Sequence, residues 1–588
     1  MNRKKLVTER VCVIHTMNTD RQVPPFETGS LRDPSELMRP ERLGALKQTR
    51  LSFGRLLVNK MVTEGWEIRV DRLSLDEEGV GRVVYAIETP SRRFSFGVFS
   101  RNSPEGENTD RIIAEDWDLW AFLCEGEASP AMMDAQREEL PHVMEGRATP
   151  DVLIWTRANR SSRFFGHVVD SLAAGHQPDI DHLAAGGYLT RSSGYYGNGL
   201  NGTKMFRALD DDHPLSRPYM SQMLAAYMLR VFGYDLAEHV AAARNPDAPE
   251  LDDGIKRYLG TGNSSGVGIV LYLVNHPKQL HAWLRAREVA LARAKSIDPS
   301  DSDLARFRSL LERTQRWFEE DDSSTNRFFA SKDAIAAELA RVSDHVDSVA
   351  ADSLGGRFWE AVCQWAGDEL QRETQEVLHS LLLDVRPAVC DGLEESLTVS
   401  ERSDVVPGMD VATLRSQIDE GYAWALDIDF DRPDATRHFW YRSIENEEPR
   451  LGVRGRGPDE YELPADVARR VQSLRRDLDG FDPADSVAEL LVEHPEHRYV
   501  VERVQNLHGL PYAEIRGNPL DADFVPLHFI ACLKAMWGIQ KAHPKSKGWV
   551  RGTFFQGAPL AQELSDCDQE YWMYPPKPER AAHWRDTQ

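Results

Sequence analysis

Apolar residues along the first hundred positions change their period once, and the change predicts two kinds of element. Between 51 and 62 they recur at three- and four-residue spacing, the pattern of a helix with one buried face. After it Trp66, Ile68 and Val70, then Val83, Tyr85 and Ile87, then Phe94, Phe96 and Val98 alternate with charged, small or polar neighbours. Alternation of this period, interrupted at Glu78-Gly79 and at Thr89-Pro90-Ser91, predicts an antiparallel meander packed on the helix, a small α+β unit over 46–105. The polar residues 1–45 before it, rich in Pro and Arg, predict an extended arm lying over another part of the molecule.

From 106 to 400 the helical period dominates, best at 160–174, 220–231, 279–295 and 356–383. In the last of these Phe358, Val362, Trp365, Ala366 and Val377 fall near one face. Around 395–415 the composition turns polar at Pro407 and Gly408, which marks a boundary to a C-terminal region over 401–588. There 424–430 and 438–443 read as strands. Pro464 opens a helix in which Val467, Val471, Leu474 and Leu478 repeat, with Gly480 placed to cap it. The expected fold class is α+β and helix-dominated: a small N-terminal antiparallel α+β unit, a large central helical region, and a C-terminal mixed α/β region.

Composition changes this picture mainly by exclusion. A chain of 588 residues has enough apolar surface to fold without disulfides or a structural metal. Its formal charge of −24 repels phosphate backbones and anionic bilayers, so it disfavours nucleic-acid and membrane partners. The six cysteines (Cys12, Cys124, Cys363, Cys390, Cys532, Cys567) form no Cys-x-x-Cys pair and read as free thiols of a reducing compartment. The longest apolar run, 267–274, is far below the roughly 20 residues of a membrane-spanning helix, and the N-terminus lacks the apolar core of a secretory signal. A soluble, cytoplasmic protein is the expectation; self-assembly into a homo-oligomer is compatible with it.

Candidate chemistry gathers in segments rich in glycine and hydroxyl side chains. Residues 260–268 hold four glycines among Thr261, Asn263, Ser264 and Ser265, a composition that predicts a turn whose N–H groups converge on an anion. Asn263, Ser264, Ser265 and Gly266 are its candidate binding residues. The segment fits neither a Walker A loop nor a dinucleotide fingerprint. Residues 191–204 alternate glycines with Arg191, Ser193, Asn198 and Lys204, and are expected to form a long loop facing the same cleft. Arg191 is suited to clamping a carboxylate or phosphate, with Ser193 and Asn198 orienting the ligand. His276, eight positions beyond Gly268, is the candidate general base.

Plainer readings suffice elsewhere. Residues 548–559 read as an aromatic tail tucked on the core, and Thr109 or Asp110 as a helix cap. Asp427, Asp429 and Asp431 imitate a calcium loop but have Arg432 where Gly is required. His494 and His497 form an H-x-x-H pair that Pro495 removes from a regular helix, so no metal ligands are nominated. No motif names a cofactor.

The function expected from these residues is an enzyme acting on a small anionic metabolite by general acid–base chemistry, as a lyase, hydrolase or group transferase. A non-catalytic ligand-binding or regulatory protein would use the same segments for recognition alone. A scaffold or nucleic-acid-associated protein would rest on Arg469, Arg470, Arg475 and Arg476, which read more simply as a solvated helical face.

Overall fold

A computed structural model describes residues 31–102, 117–139, 152–197, 209–266, 269–320, 330–350, 357–432, 440–443, 449–451, 460–463, 466–516, 527–546, 549–566 and 570–578. The protein is of mixed α+β class, dominated by helices. Its spine is a nine-stranded sheet. Strands β1 (Glu67–Leu75), β2 (Gly81–Glu88), β3 (Arg93–Ser100), β4 (Leu119–Glu125), β5 (Val152–Arg160) and β6 (Tyr188–Gly197) follow one another in space as in the chain, each antiparallel to the last. The meander read from Trp66 to Val98 is therefore the start of a larger sheet that runs on to residue 554.

Strand β7 (Gly260–Gly266) lies parallel to β6, which requires a long crossover. The crossover contains the helix Met220–Arg244, apolar around nearly its whole circumference and buried beneath β5, β6 and β7. The Thr190 hydroxyl donates to the Leu229 carbonyl at 3.2 Å and the Thr261 hydroxyl to the Ala226 carbonyl at 3.0 Å, locking helix to sheet. The sheet ends with strands from the other end of the chain. In the small sheet that precedes them in sequence, β8 (Trp440–Ser443) lies between β9 (Pro449–Leu451) and β10 (Glu460–Leu463). Then β11 (Lys541–Ser546) and β12 (Trp549–Phe554) form an antiparallel pair, with β12 against β7.

Segments 191–197 and 260–266 are thus strands, where the sequence predicts loops. Low strand propensity is overridden because both are interior to the sheet, where ladders on either side satisfy the backbone. The glycines serve close packing. A Cβ on Gly262 would stand 2.8 Å from the Tyr188 ring, and one on Gly266 3.0 Å from the Trp549 ring.

Other expectations are corrected locally. Residues 424–430 form no strand: Ala423–Leu426 is a helical turn whose Ala425 is packed into a core. Arg160 ends β5, so the following helix is only Phe165–Ala173. The helix read over 356–383 is two, Phe358–Glu369 and Arg372–Val385. Thr109, Asp110, Cys12 and Cys567 lie outside the described residues.

The main core runs from Leu37 to Tyr574 in sequence, and a smaller one gathers Val411 to Val504 from the helices after residue 410. Arg503 ties the two, pairing with Glu514 at 2.6 Å and donating to the Val274 carbonyl at 2.9 Å. The N-terminal segment from residue 31 forms short helices Pro34–Leu37 and Pro40–Ala45, with Leu37, Met38 and Leu43 fully buried. Arg32 anchors it through Glu288 at 2.6 Å and Glu376 at 2.5 Å. No helix among the described residues is long and apolar enough to cross a membrane.

Candidate functional site

The two segments singled out for their glycines and polar side chains lie side by side as β6 and β7, and the aromatic segment 548–559 contributes β12 on the far side of β7. Register decides which residues share a face. Ser192 lies opposite Asn263 and Val550 opposite Ser265, while Thr190 and Thr261 point into the helix Met220–Arg244. The inner face therefore carries Ser192, Asn263 and Ser265, all buried. The outer face carries Arg191 opposite Gly262, and Arg551 opposite Ser264. Arg191 and Ser264 consequently stand on the opposite side of the sheet from Asn263 and Ser265. Ser193 sits in the bulge where β6 slips against β5. Asn198 lies outside the described residues.

The group that completes the inner face comes from the helix Leu527–Trp537, apolar apart from Lys534 and His528. Ser52 fixes this helix by donating to the Ala535 carbonyl at 2.8 Å. Gly538, at φ 92°, ends it by returning its N–H to the Lys534 carbonyl at 3.0 Å. Lys534 is 0% exposed, and its amine donates to the Asn263 Oδ1 at 3.1 Å. The Ser265 hydroxyl donates to the same oxygen at 2.8 Å. No carboxylate pairs with the amine among the described residues. Burial alone pushes the Lys534 amine down to about 7, because the charged form has lost its water.

Aromatic rings wall this end of the sheet. Trp537 stands 6.0 Å from Tyr219 and 6.4 Å from Phe554, and Phe554 meets Tyr195 edge-on at 6.5 Å. Burial raises the hydroxyls of Tyr195 and Tyr219 well above the ordinary range, so both stay protonated donors. In the first turn of the helix after Tyr219, Ser221 and Gln222 are buried with side chains that meet no hydrogen-bond partner among the described residues.

His276 joins this wall rather than the amine. Its ring stacks on Tyr272 at 4.0 Å, and its Nδ1 lies 2.8 Å from the Tyr272 carbonyl. Tyr272 in turn faces Tyr219 at 5.9 Å. Burial lowers the His276 pKa, against a smaller opposing effect of the backbone hydrogen bond, so the ring is neutral at pH 7. The surface hollow of about 360 Å³ lined by Lys60, Glu64, Asp211, His213 and Arg217 includes none of these inner-face residues.

Lys534 was not among the residues the sequence singled out. Its signal was one lysine inside the run 527–537, apolar but for His528, which reads as a buried helix. Chemically the arrangement offers an amine that changes charge near neutrality, held by Asn263, whose oxygen also accepts from the Ser265 hydroxyl. No protein-family model, no curated protein and no solved structure matches the chain.

Proposed function

We propose that the protein is an enzyme acting on a small anionic metabolite by general acid–base chemistry, with Lys534 as the group that moves the proton. The reading rests on one observation: a fully buried amine has no carboxylate partner among the described residues and is held by Asn263. A lysine buried for structure alone is ordinarily paired, since an unpaired charge in the interior is costly. Lysines lowered to about 7 by burial are suited to proton transfer at physiological pH.

In its neutral form the amine donates one hydrogen to Asn263 and keeps a lone pair free to accept a proton from the substrate. The resulting ammonium stabilises an adjacent carboxylate or phosphoryl group and returns the proton to the product. Ser192 on the same face and the amide of Gln222, which meets no partner among the described residues, supply polar contacts. His276 holds Tyr272 in the wall, and Arg191 and Ser264 lie across the sheet from this chemistry.

The test is a thermal-shift screen of phosphorylated and carboxylated metabolites, followed by product analysis of each hit. A stabilising anion that is converted by the wild-type chain, and neither bound nor converted by Lys534→Met, supports the reading. An anion converted equally by that variant overturns it. A ligand bound through Lys534 but recovered intact after long incubation would make the protein a binder instead of an enzyme.

A further inference from the structure

We infer that Asp477, His494, Glu496 and His497 form a binding site for a zinc ion on the smaller helical core. Each offers one ligand atom, and the four atoms lie within 4.8 Å of one another. The site draws on two parts of the chain. Asp477 ends the helix Asp466–Asp477, and the other three fill the turn between the helices Val487–Glu493 and Arg498–Leu507.

Pro495 excludes an α-helical histidine pair, but the turn is not α-helical. Residues Pro495–His497 form a 3-10 turn with His494 at its N-cap. In that geometry side chains three positions apart stand above one another, so His494 and His497 project to one side. Their rings are 5.6 Å apart. The His497 Nε2 meets the Asp477 carboxylate at 2.7 Å, and the His494 Nδ1 meets Glu496 at 3.2 Å.

Two separate ion pairs would account for those two distances, but not for the convergence of all four donors. Bonds of about 2.0–2.2 Å to a tetrahedral zinc separate neighbouring ligand atoms by roughly 3.3 Å. The existing spread reaches that arrangement by small side-chain rotations. Two imidazoles with two carboxylates match zinc, a borderline ion, better than calcium or magnesium, which take oxygen ligands throughout. A complete set of four protein ligands leaves no position for substrate, which is the pattern of a structural ion. Bound there, zinc clamps the end of one helix to the turn joining two others, around the core that includes Val471, Leu474, Leu490 and Val501.

The experiment uses the full, tag-free chain, stripped with chelator and titrated with zinc chloride alone. One zinc per chain by elemental analysis, a raised melting temperature, and a cobalt(II) form with visible absorption but no thiolate charge-transfer band are expected. His497 is buried, so its removal risks unfolding; the variant is His494→Ala with Glu496→Gln, both partly or largely exposed. This variant should melt at the wild-type temperature without metal and bind zinc at least tenfold more weakly. Absence of binding at low-micromolar zinc, undiminished affinity in the variant, or a thiolate band placing the ion at cysteines would each overturn the proposal.

Discussion

Glu376 and Lys534 are both completely buried, yet opposite charge surrounds the one and, among the described residues, none pairs with the other. Around Glu376, Arg287 lies at 2.5 Å, Arg32 at 2.5 Å and Arg42 at 3.4 Å, and Glu288 joins through Arg32 and Arg287. Burial alone would raise the Glu376 carboxyl, but Arg32 and Arg287 outweigh it and hold it well below the usual range. Burial likewise drives His379 down to about 3, so it remains neutral beside them. This network fixes the N-terminal segment to the helices Pro277–Lys295 and Arg372–Val385. At Lys534 burial meets no compensating charge among the described residues. The comparison teaches that the interior here tolerates ions where they tie elements together, and that the amine departs from this rule where it meets Asn263 and Ser265 on the inner face of β7.

The largest effect that would sharpen the contrast is predicted at Glu376. Glu376→Gln leaves Arg32 and Arg287 facing a neutral group and should lower the unfolding free energy by about 3–5 kcal/mol, read as a drop in the urea midpoint at constant slope. Lys534→Met should move stability the other way, by about 1–4 kcal/mol below neutral pH, because an apolar chain of similar length replaces an unpaired amine. The sign has a pH signature. With the folded pKa near 7, the unfolded chain binds the proton more tightly between that pH and the ordinary lysine range. Wild-type stability therefore rises through this window, and its deficit against Lys534→Met closes by about 1.4 kcal/mol per pH unit. A deficit that stays constant with pH would mean that the amine remains charged.

Asn263→Ala should lower stability by about 1–3 kcal/mol in thermal melts, most at acid pH where the amine it holds is charged. The same substitution should remove the response to any stabilising anion. The smallest effect is expected at His276. His276→Ala loses one ring stack, about 0.5–1.5 kcal/mol, and should leave the anion response in place. Its loss together with stability unchanged would return the proton-transfer role to the histidine.

How much of this was legible in the sequence follows from which contacts are local. Phe94, Phe96 and Val98 announce β3 because each strand there has one face in a core, and alternation records that. Gly260 to Gly266 announce nothing of the kind. Their strand is specified by neighbours 70 and 290 residues distant, whose rings need glycine opposite them, so composition alone reads as a loop. The same segments were nonetheless flagged as polar and unusual, and they do adjoin one another. Lys534 was hidden for a related reason. Nothing within the run 527–537 shows that its amine ends on Asn263, a contact spanning 271 residues. His494 and His497 were visible as a pair, whereas Asp477 joins them only through helix packing.

The most direct measurement is the titration of Lys534 itself, by NMR of chain labelled at lysine side chains, with Lys534→Met identifying its signal. The account predicts a midpoint near 7, with the amine neutral over the upper half of the physiological range. A midpoint within the ordinary lysine range would contradict it, because the amine would then be a solvated or paired ammonium and not the proton-transfer group proposed.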